Sequence, residues 1–178
     1  MQFAYLLAEE TANESWSGGL LITDDCGLPI DFRYVEPIRP GKLQRLIYGH
    51  ALKRYLMLDA IALTLLKAAS PRVEWVFTGD DLLLELEGKI SGRFVSISNG
   101  EKEPMNSVGE WRTNHTGSIF LQVSPSGPPV TLSFNADDDQ STNEIASQLA
   151  GLTEKFDFVE PLSRVSTALK EICSGKTD

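Results

Sequence analysis

The sequence predicts an α/β or α+β fold: a mixed sheet with an N-terminal β-hairpin, a long central helix and two C-terminal helices. Three observations predict it. Short runs alternating with a period of two precede Val35, as in strands. From Ala51 to Ala69 the residues are apolar nearly all round, the mark of a buried helix. Two stretches with helix-start signals close the chain. The 178 residues suit one domain, 1–178, large enough to bury a core without disulfide or metal staples.

The elements follow in order. Phe3 to Ala8 is a short apolar strand. Ser15 to Gly19 reads as a turn-rich break, and Leu20 to Thr23 as a strand. Asp24-Asp25-Cys26-Gly27 is a turn, with Gly27 free to take positive φ. Pro29 to Val35 returns with Ile30, Phe32 and Tyr34 on one side and Asp31, Arg33 and Val35 on the other, a half-buried strand. Pro37 and Pro40 frame a loop. Leu43, Leu46, Ile47 and His50 then share a helical face. Gly49 is a weak point. Lys53, Ala60, Thr64 and Lys67 form the polar strip of the central helix, which Ser70-Pro71 ends.

Val73 to Phe77 is a strand. Asp80 to Glu87 is either a short helix capped near Asp80 or the return arm of a hairpin. Phe94 to Ile97 is a strand and Asn99 to Thr116 a long polar loop. Ile119 to Val123 and Val130 to Phe134 make a second hairpin. Ser141 with Glu144 fits a capping box for a helix from Thr142 to about Thr153. Pro161 suits the first turn of a last helix whose buried stripe is Leu162, Val165, Leu169, Ile172 and Cys173.

Charge is segregated. Six of the sixteen Lys and Arg residues lie between Arg33 and Arg54, opposed only by Glu36. That segment carries +5 in a chain of net charge −9. On one continuous helix Lys42, Arg45 and Lys53 would share a face, with Arg39 just before it. Such a strip could hold an acidic protein surface or a nucleic-acid backbone. A continuous helix would also put Arg54 into the apolar stripe, so either Gly49 breaks it or Arg54 finds a buried partner. The overall negative charge excludes broad coating of nucleic acid or membrane. Tyr55 to Ala69, interrupted by Asp59 and Lys67, is too short to span a bilayer. MQFAYLLAEE has no basic leader, and with only Cys26 and Cys173 this leads us to expect reduced thiols in a cytoplasm. Asn13-Glu14-Ser15 and Asn114-His115-Thr116 match the glycosylation pattern by chance.

Carboxylates offer the main catalytic candidates. Asp24-Asp25 and Asp137-Asp138-Asp139 could bind a hard cation, although neither has calcium-loop spacing. Gly79-Asp80-Asp81 resembles the Gly-Asp-Asp turn of nucleic-acid polymerases, where carboxylates hold metal ions; alone it reads better as a turn or cap. Asp59 within an apolar helix is a candidate buried acid needing a partner. His50, His115, Cys26 and Cys173 have no zinc spacing. A Cys–His nucleophile pair is disfavoured by Cys26 in a turn and Cys173 on a buried stripe. No nucleophile elbow and no phosphate-cradling Gly-Lys loop occurs. Trp111, Arg112 and His115 in the long loop could stack on bases or anchor a partner, and Trp16 sits in a similar turn.

Gly18 to Asp24, then Gly27-Leu28-Pro29-Ile30 and Phe32, Leu46 to Gly49, and Phe156 to Pro161 together resemble a pattern in uncharacterised bacterial proteins of similar length, a resemblance that implies no activity. The first hairpin is similar to the paired strands of roadblock and profilin-like domains, which implies a dimerisation or scaffold module.

The expectation is therefore a non-catalytic adaptor subunit of a larger complex, docking a protein partner or a nucleic-acid backbone through Arg39, Lys42, Arg45 and Lys53. No cofactor is expected. One alternative is a metal-dependent hydrolase or nuclease using Asp24, Asp25, Asp80 and Asp81. The other is a homodimeric scaffold.

Overall fold

The computed structural model describes residues 1–11, 14–69, 72–100, 103–114 and 117–174. Ser70-Pro71, Asn13, His115 and Thr116, singled out in the sequence, lie outside them. The strands are β1 (Phe3–Thr11), β2 (Ser15–Thr23), β3 (Pro29–Ile38), β4 (Trp75–Thr78), β5 (Arg93–Asn99), β6 (Trp111–Thr113), β7 (Ile119–Leu121) and β8 (Val130–Ser133). They form one sheet in the order β3-β2-β1-β4-β5-β8-β7-β6. β1 pairs antiparallel with β2 and parallel with β4, so the sheet is mixed, as expected.

Ser15 to Gly19 is not a break but half of β2, pairing with Leu7 to Thr11 of β1. Its glycines are there for space. A Cβ on Gly18 would sit 2.2 Å from Ile61 Cγ2 and 2.6 Å from the Leu7 carbonyl oxygen. The turn at Asp24 forms as expected, with Gly27 at φ +77° and Asp24 Oδ1 accepting from the Cys26 and Leu28 amides, each at 2.9 Å.

The helices are α1 (Lys42–Tyr48), α2 (Ala51–Arg54), α3 (Leu63–Ala69), α4 (Asp139–Thr153) and α5 (Glu160–Ser174). Gly49, at φ +50°, separates α1 from α2. From α2 the chain runs through a π-helical segment, Tyr55–Ala62, into α3. This central unit buries Leu56, Met57, Leu58, Ile61, Ala62, Leu65 and Leu66 against Ala4, Leu6, Leu20 and Val76. On the other face, Ile145 and Leu149 of α4 and Val165 and Leu169 of α5 cover Phe3, Tyr5, Leu21 and Phe77. The core thus lies in two layers, one on each side of the sheet. No described helix is long and apolar enough to cross a membrane.

Asp80 to Glu87 resolves as a 3-10 helix, Asp81–Leu86, with Asp80 as its cap. The long loop contains β6, whose Trp111 is half-buried against the α4 side of the core. Asp138, not Ser141, caps α4: its Oδ1 accepts from the Ser141 amide at 2.7 Å. Asp59 and His50 are exposed, so neither is the buried group the helical pattern suggested. Ile30, Phe32 and Tyr34 are 52%, 38% and 46% exposed. They lie on the face that α5 covers farther in, but β3 is the outermost strand and its apolar side stays bare.

Two outcomes test this packing. Gly18→Ala should destabilise the protein by about 1–3 kcal/mol through overpacking, seen as a lower urea midpoint at unchanged slope. The Ser141 amide holds the Asp138 carboxyl below its ordinary value, so its contribution is complete above the unfolded pKa, about 3.9. That contribution is lost as pH falls through the lower folded value. The melting-temperature deficit of Asp138→Ala should therefore be largest near neutrality and close in strong acid.

Candidate active site

β1 is where the sheet changes direction of growth. β2 and β3 extend from one side of it, β4 and β5 from the other. In open α/β sheets the crevice at the carboxyl ends of strands flanking such a point is where ligands bind. Here that crevice is a cavity of about 200 Å³. β1 contributes Leu7, Ala8, Glu9 and Glu10; β2 contributes Trp16; and the β4 end contributes Thr78, Gly79 and Asp80. Lys53, Met57 and Leu83 close it from the central helix and the 3-10 helix.

Strand alternation assigns the acids to faces. Glu10 follows Ala4, Leu6 and Ala8 onto the central-helix side, and Asp80 follows Val76 and Thr78 there. Glu9 follows Leu7 onto the α5 side. The parallel register pairs Leu6 with Thr78, which brings Asp80 level with Ala8. Asp80 is held in place: Oδ1 accepts from the Leu82 amide at 2.9 Å, and Oδ2 lies 4.0 Å from Lys53 Nζ.

The suspected acids do not come together. Thr23 pairs with Phe3, so Asp24 and Asp25 sit at the opposite end of β1, roughly 20 Å from Asp80 along the strands. Asp24, Asp25 and Cys26 are the one group among the described residues with three metal-ligating atoms within 4.8 Å of one another. They form an exposed turn whose Asp24 carboxylate already serves two backbone amides. Asp81 is exposed in the first turn of the 3-10 helix, and Asp138 is spent on its cap.

The basic strip is partly paired within the molecule. Arg33 Nε bonds Asp31 Oδ2 at 2.8 Å and its Nη1 donates to the Ala68 carbonyl at 2.7 Å. Arg45 pairs with Glu14, Lys53 with Asp80, and Arg54 with Glu85. The Arg54 guanidinium holds the Glu85 carboxyl below the usual carboxylate range. Arg54 is thus neutralised at the surface rather than buried. The kink at Gly49 takes Lys53 out of line with Lys42 and Arg45 and turns it into the cleft. Arg39 and Lys42 stay exposed on and beside α1.

Glu9 and Glu10, at the end of MQFAYLLAEE, received no functional reading from the sequence. The available signal was two acids directly at the carboxyl end of an apolar strand run.

No family model and no curated protein matches this sequence. Its fold, however, is shared with solved structures. Endonuclease V from Streptomyces avermitilis aligns at a TM-score of 0.57 and 11% identity, covering 100% of this chain and 83% of its own. Ciona intestinalis Endonuclease V, in complex with a 24mer DNA containing an inosine followed by a ribo-adenosine, aligns at 0.57 and 9%, covering 99% and 87%. Marinitoga piezophila Argonaute, in complex with guide RNA and target DNA, aligns at 0.52 and 8%, covering 93% of this chain but only 29% of its own. These likenesses correct the expectation of a non-catalytic adaptor subunit. Along its whole length the chain shares the fold of Endonuclease V, and two of the four cations expected to dock a partner, Arg45 and Lys53, are paired within the molecule.

Proposed function

We propose that this protein is a metal-dependent nuclease acting at the cleft between the carboxyl ends of β1 and β4. The observation that carries the reading is the placement of Glu10 and Asp80 on one face of that cleft, in a fold shared with Endonuclease V. The donor set fits a magnesium-type ion. Such an ion needs one or two carboxylates and takes its remaining ligands from water and substrate phosphate. Glu9, Glu10 and Asp80 do not bring their oxygens within 4.8 Å of one another, so they form no all-protein cage. Glu10 and Asp80 would hold the ion, with Glu9 adding negative charge from the other face. The ion would supply Lewis acidity at a phosphoryl oxygen.

The chain's own residues do the rest. The Leu82 amide, donating to Oδ1, fixes the orientation of the Asp80 carboxylate. Trp16 and Met57, both buried, give the cleft apolar walls that restrict water. α1 follows the end of β3 that pairs with Trp16, so Arg39 and Lys42 stand at the cleft end of the sheet. There they would contact nucleic-acid phosphates and set position rather than sequence preference. Nucleic acid is the partner this arrangement favours.

The test uses labelled single- and double-stranded DNA and RNA oligonucleotides, with and without inosine, in Mg²⁺ or Mn²⁺. We expect cleavage that is lost on chelation and falls about 10²-fold or more in Asp80→Asn and Glu10→Gln, the order seen when one electrostatic stabiliser is removed. Absence of cleavage on every substrate, or equal activity in both variants, would refute the reading. Lys42→Glu should weaken oligonucleotide binding uniformly and reduce the salt slope by about one; fluorescence anisotropy across a salt series measures it.

A further inference from the structure

We propose that Lys53 is a tethered counter-cation of the cleft: its ammonium occupies the divalent-ion position beside Asp80 and withdraws when an ion binds. The inference rests on reading Glu10 and Asp80 as cation ligands, and it concerns how that site is regulated.

Four observations carry it. First, the Asp80 carboxylate is oriented by the Leu82 amide, which donates to Oδ1, and its other oxygen, Oδ2, is the one paired with Lys53. Second, the pair is long, 4.0 Å, and its side chains are 62% and 38% exposed. Water screens such a pair, so it is weak enough to be displaced. Third, the backbone beneath Lys53 is fixed while the side chain is not. Met57, one turn on, is 1% exposed and wedged into the core. The ammonium can swing without any movement of the helix. Fourth, the charges suit a divalent ion. Glu10 and Asp80 bring two negative charges to the central-helix side of the cavity, Glu9 lying on the α5 side, and Lys53 is the one cationic residue of the lining. The ammonium offsets only one of the two charges, whereas a divalent ion in its place offsets both.

Lys53 therefore offsets part of the carboxylate charge before the ion arrives. Afterwards its charge is released at the mouth of the cleft, where an incoming phosphate passes.

Mn²⁺ titration of the full chain without nucleic acid, followed by calorimetry and by the loss of the free-ion paramagnetic signal, tests this. Lys53→Met should bind Mn²⁺ about ten-fold more tightly than the unaltered protein. Lys53→Arg should stay close to the unaltered protein. Lys89→Met, which removes an exposed charge outside the cleft, should change little. If Asp80→Asn abolishes binding but Lys53→Met has no effect, or no more than Lys89→Met, the counter-cation idea is wrong and the site reading survives. If Asp80→Asn leaves Mn²⁺ binding intact, or no variant binds the ion, the site reading fails and takes the inference with it.

Discussion

The close approach of the central helix to the sheet at Gly18 is the constraint on which the rest of this structure depends. Ile61 occupies the space where any other residue at position 18 would place its Cβ. Because that contact sets the depth of the π-helical segment, it also sets the height of α2 above β1. Leu58, Ala62 and Leu65 pack behind it, so the helix has one seating. Lys53 and Met57 hang over the end of β1 as a consequence. A glycine in a strand costs backbone entropy; here the cost is offset by the burial of a nearly all-apolar helix.

The second determinant is topological. A sheet that grows outward in both directions from β1 must leave an opening where its connections part. Glu9 and Glu10 near the end of β1, and Asp80 just past β4, stand there because the chain has reached solvent. What distinguishes this opening from an ordinary polar strand end is its floor. Trp16, Thr78 and Leu83 are buried, and the surrounding dielectric is lower than at an open surface. The turn at Asp24-Asp25 has tighter carboxylate spacing but no such surroundings, which is why proximity alone does not select the site.

Much of the architecture was legible in the residues. The alternation in β3, the turn at Gly27, the all-round apolar helix and the stripe of α5 each follow from a local period or a single backbone preference. The misreadings share a cause. Ser15 to Gly19 resembled a turn because small polar residues and glycines favour turns, whereas here they admit a neighbouring helix. Ile30, Phe32 and Tyr34 kept the right period, but a period cannot say whether a strand has a neighbour. The cleft itself was out of reach. Its acids lie some seventy residues apart in sequence, and only the parallel pairing of β1 and β4 brings them to one end of the sheet. The Gly49 kink was foreseen, yet its effect on Lys53 required knowing what lay beneath the helix.

The bare flank of β3 has its own implication. Between Pro29 and Pro37 a row of backbone amides and carbonyls is left without a neighbouring strand, beside the stacked rings of Phe32 and Tyr34, whose centroids are 6.3 Å apart. Such a margin can recruit any extended peptide, including a misfolded copy of itself. The two prolines shorten the usable length, and the Asp31–Arg33 couple adds a charged interruption. Self-association of this acidic molecule at high concentration is thus limited by charge and proline along that margin rather than by how firmly its interior is packed.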